Sequence, residues 1–312
     1  MTMGYLNTLV NKNTYIDVSD GHSLYIEECG NPDGIPVVFL HGGPGGSISE
    51  KSRRFFNPER FRIILFDQRG TGRSKPFLSL ENNTVDASVE DLEVIRKHFG
   101  IDSWIVFGGS YGTTLALAYG IKYHERIKRL VLRGVFLGRQ SDIDWLFKFG
   151  ASEFYPSEFE KYKSFIVEDN QDDLVSAYFS LMTEGSNHER DEACRQWNAW
   201  ESSIVLHLPV ETSQSSVKPQ DLSLGLLEAH YFKHKMFWDD DNYILNNISV
   251  LSNTPIDIVH GRYDVDCRVS GAYELQQKLP HSELNIVESS GHSPFEENMM
   301  SALLNIMDNL AQ

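Results

Sequence analysis

The segment GGSYG at residues 108–112 is the feature that most constrains the fold of this chain. It follows a short apolar run at 104–107 that is typical of a buried strand, and it leads into a stretch with helical spacing at 111–124. A G-x-S-x-G pattern between a strand and a helix is typical of a nucleophile elbow, whose glycines permit a tight turn and whose serine hydroxyl is exposed at the edge of the sheet. Ser110 is therefore the candidate nucleophile, and the alternative is a glycine-rich turn with no catalytic role.

Short β-branched runs alternate with helical stretches on both sides of this segment. Further helices are expected at 88–99, 269–279 and 294–310, and strands at 14–18, 24–28, 37–40, 62–66, 104–107, 128–133, 256–259 and 284–287. Several of these strands are apolar on both faces, as a parallel sheet covered by helices requires. The alternation predicts an α/β fold with a mostly parallel, doubly wound sheet.

Strand signals stop after Phe136 and resume at Ile256, and the stretch between them is helical and rich in aromatic residues. We expect residues 1–136 and 248–312 to form one α/β core and residues 137–247 to form an inserted helical cap. The length of 312 residues suits one large core with an insertion. The cap segment holds 20 of the 44 acidic residues and only 9 of the 28 basic ones.

The formal net charge of −16 argues against a nucleic-acid or anionic-membrane partner, because phosphate groups recruit Lys and Arg. No apolar run approaches the roughly 20 residues of a membrane span, and residues 1–13 lack the profile of a secretion signal. The three widely spaced cysteines, Cys29, Cys194 and Cys267, form no disulfide framework. We therefore expect a cytoplasmic protein, and the sequence leaves its oligomeric state open.

A serine nucleophile needs a base and an orienting carboxylate, which follow it in the order acid, then histidine, in hydrolases with this elbow. Asp264 comes just after the strand at 256–259, and His292 lies in a loop after the strand at 284–287. These two residues are the candidate acid and base. His260 and His281 are less favoured bases, and Asp266 is the nearest competitor for the acid, with helix capping as its alternative role.

The glycine-rich segment HGGPGG at 41–46 follows the strand at 37–40, where hydrolases of this kind place part of the oxyanion hole. We expect the backbone N–H groups of Gly43 and Tyr111 to form that hole. A phosphate-binding loop is the competing interpretation, but no G-K-[ST] follows and no G-x-G-x-x-G opens a helix.

The chain resembles the proline iminopeptidases, a family of serine peptidases with the α/β-hydrolase fold. The resemblance covers nearly the whole chain and rests on HGGPGG at 41–46, FFNPERFRIILFDQRGTGRS at 55–74, FGGSYGTTLALAYG at 107–120, LVLRGVF at 130–136, GRYDVDCRV at 261–269 and SSGHS at 289–293. It implies release of an N-terminal residue, chiefly proline, from a peptide substrate with a free N-terminus. It also implies the triad Ser110, Asp264 and His292 and no metal or organic cofactor.

Two further motifs, WNAWE at 197–201 and EAHYF at 228–232, are similar to family signatures whose glutamates bind the substrate amino group. The resemblance therefore assigns Glu201 and Glu228 to the substrate N-terminus, and solvated helix positions are the alternative. It also places Arg133 and Phe136 near the substrate pocket. Arg133 would orient one of the glutamates or serve only as a tie at a strand end.

The chain departs from the family pattern at two positions that bear on the site. Tyr111 stands where the family commonly has Trp, which matters little because the expected role belongs to the backbone N–H. Leu146 replaces an aromatic residue that lines the proline pocket in the family. We expect this replacement to loosen the preference for proline.

Two other functions fit the same core motifs. An esterase or amidase would use the same triad and would be indifferent to a free amine. A non-catalytic binding protein on the same scaffold is disfavoured because all three triad positions are filled.

Overall fold

The computed structural model describes residues 4–6, 8–208 and 217–312, and its central feature is one eight-stranded sheet. The strands are β1 Val10–Asp17, β2 Ser23–Gly30, β3 Ile35–Leu40, β4 Phe61–Phe66, β5 Trp104–Gly109, β6 Ile127–Arg133, β7 Ile256–Gly261 and β8 Glu283–Val287. Parts of the predicted core, 1–3 and 7, and of the predicted cap, 209–216, lie outside the described residues.

The strand order is β1-β2-β4-β3-β5-β6-β7-β8. β1 pairs antiparallel with β2, and β2 pairs antiparallel with β4. Every other neighbouring pair is parallel, so the carboxyl ends of β3, β5, β6, β7 and β8 meet at one edge of the sheet. The predicted mostly parallel α/β sheet is confirmed.

The sheet is buried on both faces, which explains its continuous apolar strands. In β4, Ile64 and Phe66 belong to the hydrophobic cluster on one face, whereas Ile63 and Leu65 belong to the cluster on the other. Side chains alternate across a strand with a period of two, so each face needs its own apolar set.

The first strand is longer than the sequence suggests, because β1 starts at Val10 rather than at residue 14. Its added residues, Asn11, Lys12 and Asn13, are exposed. They are tolerated because β1 forms the outer edge of the sheet and has a partner on one side only. A polar run of this kind carries no strand signal in the sequence.

The helices fall into two groups. Those that flank the sheet are α1 Val85–His98, α2 Tyr111–Tyr123, α10 Val269–Lys278 and α11 Glu297–Leu310. Those between β6 and β7 are α3 Gln140–Phe147, α4 Ala151–Phe154, α5 Pro156–Ser164, α6 Leu174–Glu184, α7 Asn187–Ile204, α8 Pro219–Lys233 and α9 Tyr243–Asn247. The described part of the segment 137–247 contains no strand of the sheet.

Stacked aromatic rings hold the helices of this segment together. The rings of Tyr162 and Tyr178 stack with their centroids 4.4 Å apart, and those of Phe147 and Trp197 stack at 4.3 Å. These residues share one hydrophobic cluster with the α1 and α2 side of the sheet. The division into a core and a cap at residues 137 and 247 stays a prediction.

The turn between β5 and α2 depends on backbone contacts that leave no room for side chains. A Cβ added at Gly112 would lie 2.3 Å from the Leu40 carbonyl oxygen, and one added at Gly108 would lie 2.3 Å from the Gly112 carbonyl oxygen. Both neighbours are backbone atoms and cannot rotate away. The two outer glycines of the 108–112 pattern are therefore required for β5, β3 and α2 to approach one another.

Replacing Gly112 with alanine should destabilise the protein by about 1–3 kcal/mol, because the added methyl group forces β3 and α2 apart. Gly271→Ala is the control, since the nearest neighbour of its added Cβ is a Leu137 side-chain carbon at 3.7 Å. Urea unfolding followed by tryptophan fluorescence measures both. Equal stability of the two variants would contradict the steric account.

Candidate active site

Ser110 occupies a strained backbone position at the junction of β5 and α2. Its φ of 58° and ψ of −129° lie in a region that non-glycine residues rarely adopt. Its carbonyl oxygen accepts hydrogen bonds from the backbone N–H and the hydroxyl of Thr113, both at 2.7 Å. Its N–H donates to the Arg133 carbonyl oxygen at 2.9 Å. These bonds fix the turn that presents the serine at the carboxyl edge of the sheet.

His292 and Asp264 meet at the same edge. The Nδ1 atom of His292 lies 2.8 Å from Oδ2 of Asp264, and the other carboxylate oxygen accepts a bond from the Cys267 N–H at 2.8 Å. The backbone N–H of His292 donates to the Val205 carbonyl oxygen at 2.9 Å. With Nδ1–H donated to the carboxylate, Nε2 of the imidazole carries the lone pair that a general base needs.

Burial sets the charge of this pair. It lowers the pKa of His292 to about 4, because a charged imidazole is poorly solvated there. It raises the pKa of Asp264 to about 6 for the same reason, although nearby His260 and Arg133 oppose the rise. The imidazole is therefore neutral around pH 7 and able to accept a proton.

The glycine-rich loop after β3 packs directly against the serine. A Cβ added at Gly42 would lie 3.0 Å from the Ser110 Cβ, and Gly43 has a φ of 111° that favours glycine. Ser223 of α8 donates its hydroxyl to the Gly45 carbonyl oxygen at 2.8 Å. This buried contact ties the loop to the helical segment above it.

Tyr111 is the first residue of α2, so its N–H has no acceptor within the helix. Gly43, the other expected donor, lines a cavity together with Ser110. An N–H group at a helix N-terminus beside a nucleophile suits an oxyanion, because the helix dipole adds positive potential there.

The cavity around Ser110 has a volume of about 200 Å³. It brings together residues from the sheet edge and from α3, α7 and α8. The lining residues are Gly42, Gly43, Ser110, Arg133, Phe136, Leu146, Glu201, Val205, Leu224, Glu228, Phe232, Asp266, Cys267 and His292.

Glu201 of α7 and Glu228 of α8 both line this cavity, and the charge of each carboxyl affects the other. Trp197 donates its indole N–H to Oε2 of Glu228 at 2.7 Å. Burial of neighbouring carboxyls favours their protonated form, so the pair holds at least one proton around pH 7 when the cavity is empty. Burial raises the pKa of Glu228 to about 8 and that of Glu201 well above its usual range, and the negative charge of Asp266 adds to both.

A family model described as the alpha/beta hydrolase fold matches residues 35–299. The proline iminopeptidase of Neisseria meningitidis is 41% identical over 301 residues, which cover 95% of each chain. The probable proline iminopeptidase of Leptolyngbya boryana is 41% identical over 295 residues, covering 94% of this chain and 92% of that protein. The chain belongs to the proline iminopeptidase family.

Solved structures agree on the fold of this proline iminopeptidase family member. The esterase of Exiguobacterium antarcticum superposes with a TM-score of 0.65 at 18% identity, covering 96% of this chain and 100% of that chain. At this level of identity the likeness concerns the α/β-hydrolase fold alone.

The competing histidines lie outside the lining of the cavity, although Nε2 of His260 is 3.4 Å from Oδ2 of Asp264. His260 is fully buried, accepts a bond from the Val135 N–H at Nδ1 and contacts the Cys267 carbonyl oxygen through Nε2 at 2.7 Å. It braces the loop that carries Asp264. The Nε2 atom of His281 contacts the Thr254 carbonyl oxygen at 2.9 Å. Neither ring is among the residues that line the cavity.

The sequence does not predict that Asp266 lies in the cavity, because helix capping is an equally simple role for an aspartate at this position. Its Oδ2 lies 3.9 Å from Nε2 of His292, and it lines the cavity. Among the described residues, one cluster of metal-binding side chains could hold an ion. It consists of Asp266, Cys267 and His292, whose ligand atoms lie within 4.8 Å of one another. Burial raises the pKa of Cys267 well above its usual range, which disfavours the thiolate that a metal would need.

Arg133 and Phe136 both line the cavity. The Phe136 ring contacts that of Phe232 edge-on at 5.8 Å. The guanidinium of Arg133 contacts His292 rather than a glutamate.

Within the described residues, no helix is long and apolar enough to cross a membrane.

Replacing Glu228 with glutamine should stabilise the empty protein, and the gain should grow between pH 5 and pH 8. In that range the unfolded glutamate is ionised, whereas the folded one, with a pKa of about 8, keeps its proton, so the stability of the native sequence falls as pH rises. Glutamine cannot ionise and still accepts the bond from Trp197. Thermal unfolding should show a gain of a few degrees at pH 8, since about 1 kcal/mol corresponds to about 2–4 °C in chains of roughly this size.

Glu184→Gln, an exposed change at the end of α6, is the control and should show no such trend. A Glu228→Gln variant that loses stability at pH 8 would contradict the protonated, buried pair.

Proposed function

We propose that this protein is a serine aminopeptidase that releases an N-terminal residue, preferably proline, from peptides. The observation that carries the proposal is the placement of Glu201 and Glu228 in the same small cavity as Ser110. Membership of the proline iminopeptidase family supports the same activity.

The glutamate pair favours a positively charged ligand. Two buried carboxyls are costly to ionise without a partner, and a substrate ammonium supplies that partner with charge-assisted hydrogen bonds. An internal peptide nitrogen carries no charge and cannot do so. The pair therefore selects chain termini over internal bonds.

The size of the cavity limits the distance between the amino terminus of the substrate and the peptide bond that is cleaved. The whole cavity that holds the glutamates and Ser110 has a volume of about 200 Å³, which suits one small residue. The apolar side chains of Phe136, Leu146 and Phe232 line that space and suit a saturated ring.

The two glutamates also favour proline, because they offer one acceptor for each N–H bond of its ammonium. A terminal proline ammonium carries two N–H bonds, one for each glutamate. A primary ammonium carries a third N–H, and a buried donor without an acceptor costs about 1–3 kcal/mol. Leu146 in place of an aromatic residue removes ring stacking, so we expect terminal alanine to compete better than in relatives that keep the aromatic.

The mechanism follows from the roles proposed for the triad. Nε2 of His292 accepts the Ser110 proton as the hydroxyl oxygen attacks the carbonyl of the first residue, and Asp264 stabilises the resulting imidazolium. The N–H groups of Gly43 and Tyr111 stabilise the oxyanion, at about 3 kcal/mol for each donor. His292 then protonates the leaving amine, and water hydrolyses the acyl-enzyme.

We infer a cytoplasmic location from the cysteines. Cys29, Cys194 and Cys267 are buried free thiols, which suit a reducing compartment. The acidic surface disfavours nucleic acid as a partner, so the proposed partner is a peptide with a free N-terminus.

The free protein should cleave prolyl arylamide at least about 100-fold more efficiently than N-acetyl-prolyl arylamide, because only the free amine forms charge-assisted hydrogen bonds with the glutamates, each worth about 1.5–3 kcal/mol. Glu201→Gln and Glu228→Gln should shrink this ratio by impairing the free substrate more than the blocked one. Steady-state kcat/KM values for both substrates measure the effect.

Ser110→Ala is the control for background hydrolysis and should lose several orders of magnitude of activity. Equal cleavage of free and blocked substrates, together with rapid turnover of simple aryl esters, would favour a general esterase or amidase instead. Alanyl arylamide in the same assay measures how strictly proline is preferred.

A further inference from the structure

The side chain of Arg133 makes an unusual contact for a residue at the end of a strand. Its Nη1 atom lies 3.1 Å from Nε2 of His292 and 2.9 Å from the His292 carbonyl oxygen. An NH₂ group has two hydrogens, so it can donate to both acceptors at once. The contact therefore uses the lone pair on which general-base catalysis depends.

Glycine at position 109 makes this placement possible. A Cβ added at Gly109 would lie 2.4 Å from Nη2 of Arg133. The guanidinium thus lies over the residue that precedes the nucleophile, beside the elbow and in the same cavity.

The hydroxyl of Ser110 does not share the nitrogen. Among the residues that the structure describes, no hydrogen bond joins the Ser110 Oγ to His292 or to any other group. The serine and its base are neighbours in one cavity, but the guanidinium occupies the position on Nε2 that the serine proton must reach.

Arg133 is also a buried cation without a close countercharge. It is 7% exposed, no carboxylate in the described part of the chain lies within 4.0 Å of it, and its Nε has no hydrogen-bond partner. Burial lowers its pKa from the usual value, in keeping with this poor solvation. The hydrogen bonds that hold the guanidinium are therefore those to His292.

We propose that Arg133 is a positioning residue that blocks Nε2 of His292 in the empty enzyme and must release it to Ser110 before acylation. This proposal rests on the proposed function for the roles of Ser110 and His292. It replaces the idea that Arg133 orients a glutamate.

The substrate itself supplies the force for release. A positively charged terminus bound to Glu201 and Glu228 enters the cavity that the Arg133 guanidinium lines, and two cations in about 200 Å³ repel each other. Arrival of the correct terminus therefore favours an unblocked base. A ligand without charge lacks this effect.

Several charged groups face the His292 ring, and their contributions can be separated. Asp264 and Asp266 lie on the loop after β7, His260 on β7, and Glu296 on the loop before α11. The carboxylates favour the charged imidazole, whereas Arg133 and His260 disfavour it. Removing Arg133 alone should therefore raise the pKa of His292.

The test is the rate at which a small, uncharged fluorophosphonate labels Ser110, measured from pH 4 to pH 9. This reagent needs the serine and its base but not the glutamates, so the result is independent of aminopeptidase activity. Arg133→Met should label several-fold faster than the native protein at pH 8. The acid-side inflection of its pH profile should move up by about one unit.

Arg133→Gln removes the charge but keeps a donor for the His292 carbonyl oxygen, and it should show the same upward shift. It replaces Arg133→Met in the test if the methionine variant does not fold. Arg133→Lys keeps the charge and should keep an inflection near the native one. Arg262→Met removes an exposed arginine that pairs with Glu288 near the same edge, and it should change neither quantity.

A folded Arg133→Met or Arg133→Gln variant with an unchanged inflection, and labelling as slow as or slower than the native rate, would overturn the proposal. Failure to cleave prolyl arylamide would instead count against the proposed function and leave this result standing.

Discussion

The placement of two glutamate carboxyls in one small cavity is the constraint on which the rest of the site depends. Glu228 is buried and Glu201 is half-buried, both line the cavity that holds the serine, and their raised pKa values leave at least one proton on the pair when the cavity is empty. Such a pair is unfavourable for stability, because hydrophobic residues of similar size would fill the same space at lower free energy. It is favourable for recognition, because only a cationic ligand satisfies both carboxyls. The chain thus places a destabilising element where a substrate terminus can neutralise it.

The sheet brings the reacting groups to that pair. Parallel pairing of β5, β6, β7 and β8 puts their carboxyl ends at one edge, so Ser110, Arg133, Asp264 and His292 meet although they are far apart in sequence. The helices α7 and α8 then carry the glutamates over this edge, and the Ser223 contact with the Gly45 carbonyl oxygen links them to the glycine-rich loop. The nucleophile and the terminus-binding pair are therefore held by different layers of the molecule, across one small cavity.

Much of this could be predicted from the sequence, because the strands and the elbow carry local signals. Apolar runs and glycine-rich turns predict all eight strands. They also predict that Ser110, Asp264 and His292 each follow the end of a strand. The start of β1 could not be predicted, since an exposed edge strand tolerates polar residues. The contact between Arg133 and His292 could not be predicted either. It depends on rotamers across two strand ends and on the space above Gly109, and neither leaves a pattern in the chain.

The measurement that tests the central claim most directly is the number of protons released when prolinamide binds. Calorimetric titration of the Ser110→Ala variant at pH 7, in buffers of different ionisation enthalpy, gives this number without turnover. The account predicts release of about one proton for each bound ligand, because the cation replaces a proton that the glutamate pair holds. It predicts a clearly smaller release when Glu228→Gln is added. Tight binding with no proton release would contradict the account.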